Sequence, residues 1–208
     1  MKTFKQFLIN EAQLEDVDID KLFLVWKNNE SNYDNMETWF YMFKYDNSEY
    51  EDMEDDEIES LPVFQDYFRT KYEGLYDEFV WKITSIMNSN QGYIPIYRNM
   101  TVADDFIQQL NIKKQPRLGI YWSWDENTAE SHWGHGNHKL EIQLHSLIHN
   151  SHVDWWDTIL LNLNTALGDT EKEIRLFKNT PIQILKIIDT KTDEELDIST
   201  IENKTFKA

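Results

Sequence analysis

Two glutamates one residue apart, Glu171 and Glu173, form the pair whose spacing best suits chemistry. The turn-forming triplet 168–170 precedes them and the breaker 179–181 follows, so a strand is expected over 171–177. Because side chains alternate along a strand, both carboxylates should lie on one face. Two carboxylates this close repel each other, and they suit a site that receives a cation or a cation-like transition state. The alternative is a solvated strand edge of an acidic protein.

Composition limits the classes of function. The 208 residues carry a net charge of -18, are 40% hydrophobic and 14% aromatic, and include no cysteine. This apolar content can form a core, and the lack of cysteine excludes disulfides, thiolate nucleophiles and cysteine-based zinc sites. The charge argues against direct nucleic-acid binding and favours basic partners, mimicry of a nucleic acid, or solubility alone. No membrane partner is expected, since no apolar run has the length of a span and the start lacks a secretory signal.

The chain is predicted to change character near Tyr93. Residues 13–92 are expected to be mainly helical, with a long helix from Pro62 to about Met87 and an acidic, solvated loop over 46–60. Residues 93–208 are expected to form an α+β core of short antiparallel strands. The helix from Pro62 should bury an apolar stripe that consists of Phe64, Tyr67, Phe68, Leu75, Phe79 and Ile83.

Strands and helices are expected to alternate in the second part of the chain. The predicted strands are 93–98, 118–124, 140–148, 171–177 and 181–188, and the predicted helices are one capped by Thr101, one over 127–133 and one over 154–167. Arg98 then ends the first strand, Ser123 lies within the second, and the glutamate pair lies on a late strand.

Three segments in this order carry a family resemblance: Ile96-Tyr97-Arg98, Tyr121-Trp122-Ser123-Trp124 and Glu171-Lys172-Glu173. They resemble the mono-ADP-ribosyltransferases of the Arg-Ser-Glu class, which includes the cholera-type, arginine-specific enzymes. The resemblance covers about Tyr93 to Ile188. The family's Ser-Thr-Ser stands here as Ser123-Trp124-Asp125, so only its first serine is kept. The resemblance implies an ADP-ribosyltransferase-like core of short antiparallel strands in two small sheets.

The resemblance also implies roles for the charged residues, with NAD as co-substrate. Glu173 would stabilise the positive charge that develops on the ribose as the nicotinamide bond breaks, and would hold a ribose hydroxyl. Glu171 would orient the acceptor and take its proton. Arg98 would bind the NAD pyrophosphate, and Ser123 would hydrogen-bond Glu173. Alternatively, Arg98 is a surface ion-pair partner and Ser123 an ordinary strand serine.

Tyr97 and Trp124 are the implied aromatic residues beside the nicotinamide, although both could equally be core residues. Within the family, Glu-x-Glu accompanies arginine as the acceptor, so the expected target is an arginine on a basic host protein. The segment 162–170 is the candidate acceptor-recognition loop. Two alternatives stay open: an NAD glycohydrolase with water as acceptor, and a catalytically inert acidic protein that mimics DNA through 46–60.

The first twelve residues, Met1 to Ala12, form a small amphipathic basic segment. This segment resembles the start of many tailed-phage proteins, some of which carry a cleaved packaging peptide, and Ile9-Asn10-Glu11 fits the cleavage pattern. The resemblance implies a bacteriophage protein that acts in the host cytoplasm, and packaging into the virion is left open. The alternative is a frayed terminal helix.

All six histidines fall between His132 and His152. The spacing of His132, His135 and His138 could suit a metal ion if a third or fourth ligand converged. The chemistry implied by the resemblance needs no metal, so none is assigned. The other interpretation is a mobile loop near the NAD pocket whose charge varies near neutral pH.

Overall fold

The computed structural model describes residues 18, 20–21, 24, 33–112, 117–129, 140–164, 172–202 and 204–208. The first half is helical, as predicted. From Tyr33 onwards it consists of α1 (Tyr33–Asp46), a 3-10 turn (Ser48–Tyr50), α2 (Asp55–Glu59) and α3 (Pro62–Ser89).

Helix α3 confirms the long helix predicted from Pro62, which occupies its first turn. Ring contacts pack α3 on α1: the centroids of Phe43 and Phe64 lie 5.3 Å apart, and those of Trp39 and Phe68 lie 4.7 Å apart. The buried positions recur every three or four residues and include two tyrosines that the predicted stripe omits. They are Phe64, Phe68, Tyr72, Tyr76, Phe79, Ile83 and Met87.

Gly74 lies in the middle of α3 without interrupting it. A Cβ built there meets no atom within 4 Å. Gly74→Ala is therefore expected to raise the free energy of unfolding by about 0.5–1 kcal/mol, because alanine loses less backbone entropy in a helix than glycine does. Urea unfolding of the two proteins under identical conditions measures the difference. If the urea midpoint of the alanine variant were equal to or lower than that of the wild type, the result would contradict the open surroundings of Gly74.

The acidic stretch 46–60 is more regular than the predicted loop. Ile58 of α2 is fully buried and anchors the stretch to the core. Lys44 Nζ lies 2.9 Å from Asp55 Oδ1. The carboxylates nevertheless remain on the surface, so the acidic character of this face is retained.

The described strands of the second half form one seven-stranded antiparallel sheet. Its order is β4-β2-β1-β3-β5-β6, and β7 pairs with β5. The α+β class is confirmed, whereas the expected division into two small sheets is not. The strands are β1 (Tyr93–Val102), β2 (Tyr121–Ser123), β3 (Leu140–His149), β4 (Glu173–Arg175), β5 (Pro181–Asp189), β6 (Glu194–Glu195) and β7 (Thr205–Lys207), and the helices between them are α4 (Phe106–Ile112), α5 (Glu126–Ala129) and α6 (Trp155–Asn164).

Strand β1 is longer than predicted, since β3 pairs with it residue by residue from Tyr93 opposite His149 to Val102 opposite Leu140. Arg98 therefore lies in the middle of a strand rather than at its end. Thr101 continues the strand opposite Glu141, so its predicted role as a helix cap was wrong. Strands β2 and β4 hold only three residues each, because they pair with each other over three positions.

One hydrophobic core joins the helical half to the sheet. On β1, Ile94 and Ile96 are fully buried and share one face, whereas Tyr97 lies on the other face and is half-buried. The buried face packs towards α3 and α6, and α5 contacts the half-polar face. Among the described helices, none combines the length and the apolar character needed to cross a membrane.

Candidate functional site

A row of polar side chains crosses five neighbouring strands on the half-polar face. In pairing order it consists of Lys186, His145, Tyr97, Ser123 and Glu173. Residues paired across antiparallel strands point to the same face, and neighbouring strands lie about 4.8 Å apart. The main chains of Tyr97 and Glu173 are therefore roughly 10 Å apart, with Ser123 between them. Three residues predicted from distant parts of the sequence thus share one surface.

Glu173 begins the edge strand β4, which α6 supports. Asn162 Nδ2 donates to the main-chain oxygen of Glu173 at 2.6 Å and to that of Thr158 at 2.7 Å. Arg175 N donates to Thr158 Oγ1 at 3.0 Å. Asn162 was expected to open an acceptor-recognition loop, but it lies on a helix and holds the strand that carries the glutamate.

Ser123 joins β2 to β4 through its hydroxyl. Ser123 Oγ lies 2.8 Å from the main-chain oxygen of Asp125 and 3.3 Å from that of Lys172, and it accepts a hydrogen bond from Asp125 N at 3.0 Å. The partners that the structure gives to this hydroxyl are thus main-chain groups, whereas the prediction named the Glu173 carboxylate. Ser123 orders the main chain next to Glu173.

Arg98 packs against the segment that enters β2. Its Nη1 donates to the main-chain oxygen of Tyr121. A Cβ on Gly119 would lie 2.7 Å from Nη1 and 2.9 Å from Cζ, so the guanidinium occupies the space that a side chain would fill. Nε is buried and has no hydrogen-bond partner within the described ranges.

Arg98 and Glu173 interact electrostatically although strand alternation directs their side chains to opposite faces of the sheet. Arg98 has the phase of buried Ile96, whereas Glu173 is in register with Ser123 and Tyr97. Burial lowers the pKa of Arg98, and the Glu173 carboxylate opposes this effect. The Arg98 side chain therefore leaves β1 on the face opposite to the row.

The two predicted aromatic residues have different surroundings. Tyr97 meets His145 edge to face at a centroid distance of 4.9 Å. Burial, Glu126 and Asp125 together raise the pKa of its hydroxyl. Trp124 lies beyond the end of β2, where Lys172 Nζ is 5.6 Å from the centroid of its ring. Only Tyr97 thus belongs to the row.

Several predicted features fall outside the described residues: Glu171, the segment Met1 to Ala12, and the histidines His132, His135 and His138. Over the ranges that the structure does describe, no three His, Cys, Asp or Glu side chains are grouped closely enough to hold a metal ion.

Sequence reasoning missed Gly119, Asp125, Lys172 and Gln143 as parts of this region. Gly119 has φ +87°, and a glycine just before an aromatic strand was a usable signal for a left-handed turn. Gln143 is buried opposite Asn99, and its Nε2 donates to the Glu126 main-chain oxygen at 3.0 Å. No local pattern indicates the contact between Asp125 and Lys172 or that of Gln143 with Glu126, because these depend on strand pairing.

His145 predicts a pH dependence of stability. Burial lowers its pKa and Lys186 acts in the same direction, whereas Glu126 and Glu195 oppose this effect. Nε2 lies 2.7 Å from Gln143 Oε1, which suits the neutral ring as donor. Because the unfolded chain then binds more protons than the folded one, stability should decline as pH falls through about 6.5 towards the lower folded pKa.

The variant His145→Gln should lose less stability than the wild type between pH 7.5 and pH 5.5. Urea unfolding of both proteins across this range measures the difference in the free energy of unfolding. Parallel pH curves for the two proteins would contradict a neutral, half-buried His145.

No protein-family model, no curated protein and no solved structure matches this chain. The functional assignment therefore depends on the geometry of its own residues and on the three segments that carry the resemblance.

Proposed function

We propose that this chain is an NAD-dependent mono-ADP-ribosyltransferase that modifies arginine on a protein. The main support is the register that aligns Tyr97, Ser123 and Glu173 on three neighbouring strands. Arg98 follows Tyr97 in the chain, and its charge interacts with the Glu173 carboxylate. Tyr97 and Ser123 are 26 positions apart in the sequence, and Ser123 and Glu173 are 50 positions apart. The proposed chemistry requires Tyr97, Ser123 and Glu173 to meet on one face.

The reaction replaces one bond to the ribose by another. The bond between nicotinamide and C1′ of the ribose breaks, nicotinamide leaves with the bonding electrons, and positive charge spreads over C1′ and the ring oxygen. In the proposal the Glu173 carboxylate faces this charge and lowers the barrier by a few kcal/mol. An arginine nitrogen of the target then bonds to C1′, and Glu171 takes its proton. The place of Glu171 follows from the resemblance alone.

Arg98 is the proposed contact for the NAD pyrophosphate. A guanidinium fork suits anionic phosphate oxygens. The close fit of this side chain over Gly119 and its bond to Tyr121 O hold it in one orientation. A preorganised cation of this kind binds an anion without first losing side-chain entropy.

The acceptor and the setting are part of the same proposal. The net charge of -18 and the exposed carboxylates of 46–60 favour a basic protein target over an acidic one. The target would be a host protein, and the host cytoplasm the place of action, if the phage resemblance of the first twelve residues reflects origin.

Incubation of the purified chain with NAD labelled in its adenylate part and with a bacterial lysate tests the proposal. Label is expected on protein, should be released by agents that cleave arginine-linked ADP-ribose, and should be absent with Glu173→Ala. Nicotinamide release without labelled protein would instead indicate an NAD glycohydrolase. No NAD consumption at all would exclude both activities and would leave the acidic DNA mimic as the remaining candidate.

A further inference from the structure

Lys172, the residue before Glu173, is held through both its side chain and its main chain. Its Nζ lies 2.5 Å from Asp125 Oδ2, and the two side chains are only 30% and 23% exposed. Its main-chain oxygen accepts a hydrogen bond from Trp124 N at 2.9 Å. The ammonium also lies over the Trp124 ring. Lys172 is thus fixed to the end of β2 by independent contacts.

The two oxygens of the Asp125 carboxylate bind different partners. While Oδ2 binds Lys172, Oδ1 accepts from Asn127 N at 2.9 Å and from Thr128 N at 3.1 Å, which caps α5. Burial opposes ionisation of Asp125, but the bonds from Lys172, Thr128 and Asn127 outweigh it and lower its pKa. Asp125 therefore carries its charge at neutral pH and joins α5 to the segment that enters β4.

The main chain at Lys172 is in an uncommon conformation. Its φ is +47°, in the left-handed region that residues other than glycine seldom adopt. Such a residue persists where its surroundings hold it in place. Because Lys172 directly precedes Glu173, this turn sets the direction in which the chain enters β4 and hence the direction of the Glu173 side chain.

We propose that Asp125 and Lys172 are positioning residues for Glu173, and this inference rests on the proposed function. Their ion pair holds the start of β4 so that the Glu173 carboxylate faces the row with Ser123 and Tyr97. It also gives the Lys172 ammonium a carboxylate partner other than Glu173. An ammonium paired with Glu173 would compete with the ribose cation for that carboxylate.

Four variants test the pair through nicotinamide release: Asp125→Ser, Lys172→Met, the double variant and Lys172→Arg. Each of the first two should lower kcat about tenfold, because a small misplacement of a catalytic group is costly, while KM for NAD stays within about twofold. In the double variant kcat should fall about tenfold rather than a hundredfold, because the two changes remove the same contact. Lys172→Arg keeps a cation for Asp125 and should stay within about threefold of the wild type.

The variants separate this role from a general loss of structure. Serine at position 125 can still cap α5, so its effect does not come from the helix. Lys82→Met removes a comparable pair on α3, where Lys82 Nζ lies 2.5 Å from Glu78 Oε1, and it should keep full activity.

Three outcomes would overturn the inference. The first is an unchanged kcat in Lys172→Met. The second is a fall in kcat of the double variant that equals the product of the two single falls, and the third is a raised KM with unchanged kcat. Failure of the proposed function is distinguishable, because a wild-type chain that releases no nicotinamide from NAD would overturn that function and this inference together. An active wild type with fully active variants would overturn this inference alone.

Discussion

Glu173→Gln is expected to lower kcat for nicotinamide release from NAD by about 10²- to 10³-fold. Glutamine keeps the shape of the side chain but removes the charge that faces the developing ribose cation. The main-chain bond between Glu173 O and Asn162 Nδ2 does not involve the carboxylate, so the fold should be retained. The Kd for NAD should stay within about threefold of the wild-type value, because the lost interaction forms mainly in the transition state.

Single-turnover kinetics and a direct NAD titration measure the two quantities separately. Glu194→Gln is the matched control, since Glu194 is exposed on β6, at the opposite border of the sheet from β4. That variant should retain the wild-type rate. A Glu173→Gln protein with undiminished kcat would refute the catalytic role of this carboxylate, whatever the NAD affinity.

Gly119→Ala is expected to weaken NAD binding by at least tenfold and to lower the free energy of unfolding by about 2–3 kcal/mol. An alanine at φ +87° is strained, and its Cβ would lie 2.7 Å from Nη1 and 2.9 Å from Cζ of Arg98. The guanidinium must therefore move from the place where it donates to Tyr121 O. If Arg98 binds the pyrophosphate, its displacement should appear directly in the Kd for NAD.

Gly92→Ala separates backbone strain from displacement of the guanidinium. Gly92 has φ +86°, but the nearest atom to a Cβ there is His149 Nε2 at 3.5 Å, an ordinary contact. Gly92→Ala should lose stability through strain and keep its NAD affinity. Arg98→Lys, which lacks the planar fork, should lose affinity in the same direction as Gly119→Ala. Equal NAD affinities for the alanine variants at positions 92 and 119 would contradict a binding role for Arg98.

Local patterns in the sequence were sufficient to predict α3 and the α+β class. The stripe in α3 recurs at helical spacing from Phe64 to Met87, so the helix is evident despite Gly74. The strands after Tyr93 are short but rich in branched and aromatic residues, which favours a sheet. These signals depend on neighbours within a few positions.

The limits of the strands were less predictable. Arg98 was placed at a strand end, whereas β3 extends the pairing of β1 four residues further, to Val102. In the other direction, 171–177 was predicted as one strand, but the positive φ of Lys172 delays the start of β4 to Glu173. Both differences arise from the partner strand or from side chains distant in sequence.

The candidate site was predictable in its members and not in its contacts. Tyr97, Ser123 and Glu173 were selected for residue type and order, and the register aligns them. The bond from Ser123 to the Lys172 main chain and the ion pair of Lys172 with Asp125 could not be read from spacing, because 47 or more positions separate the partners. The role of Glu171 remains a prediction.

The two borders of the sheet bear on how molecules of this protein meet one another. A free border strand exposes main-chain N–H and C=O groups that can pair with a second molecule and start a polymer. On one border, side chains of α6 occupy these groups: Asn162 bonds the oxygen of Glu173 and Thr158 bonds the nitrogen of Arg175. The other border includes β6, a two-residue strand that consists of glutamates alone. A second molecule would meet a helix at one side and like charges at the other, which opposes growth of fibrils through the sheet.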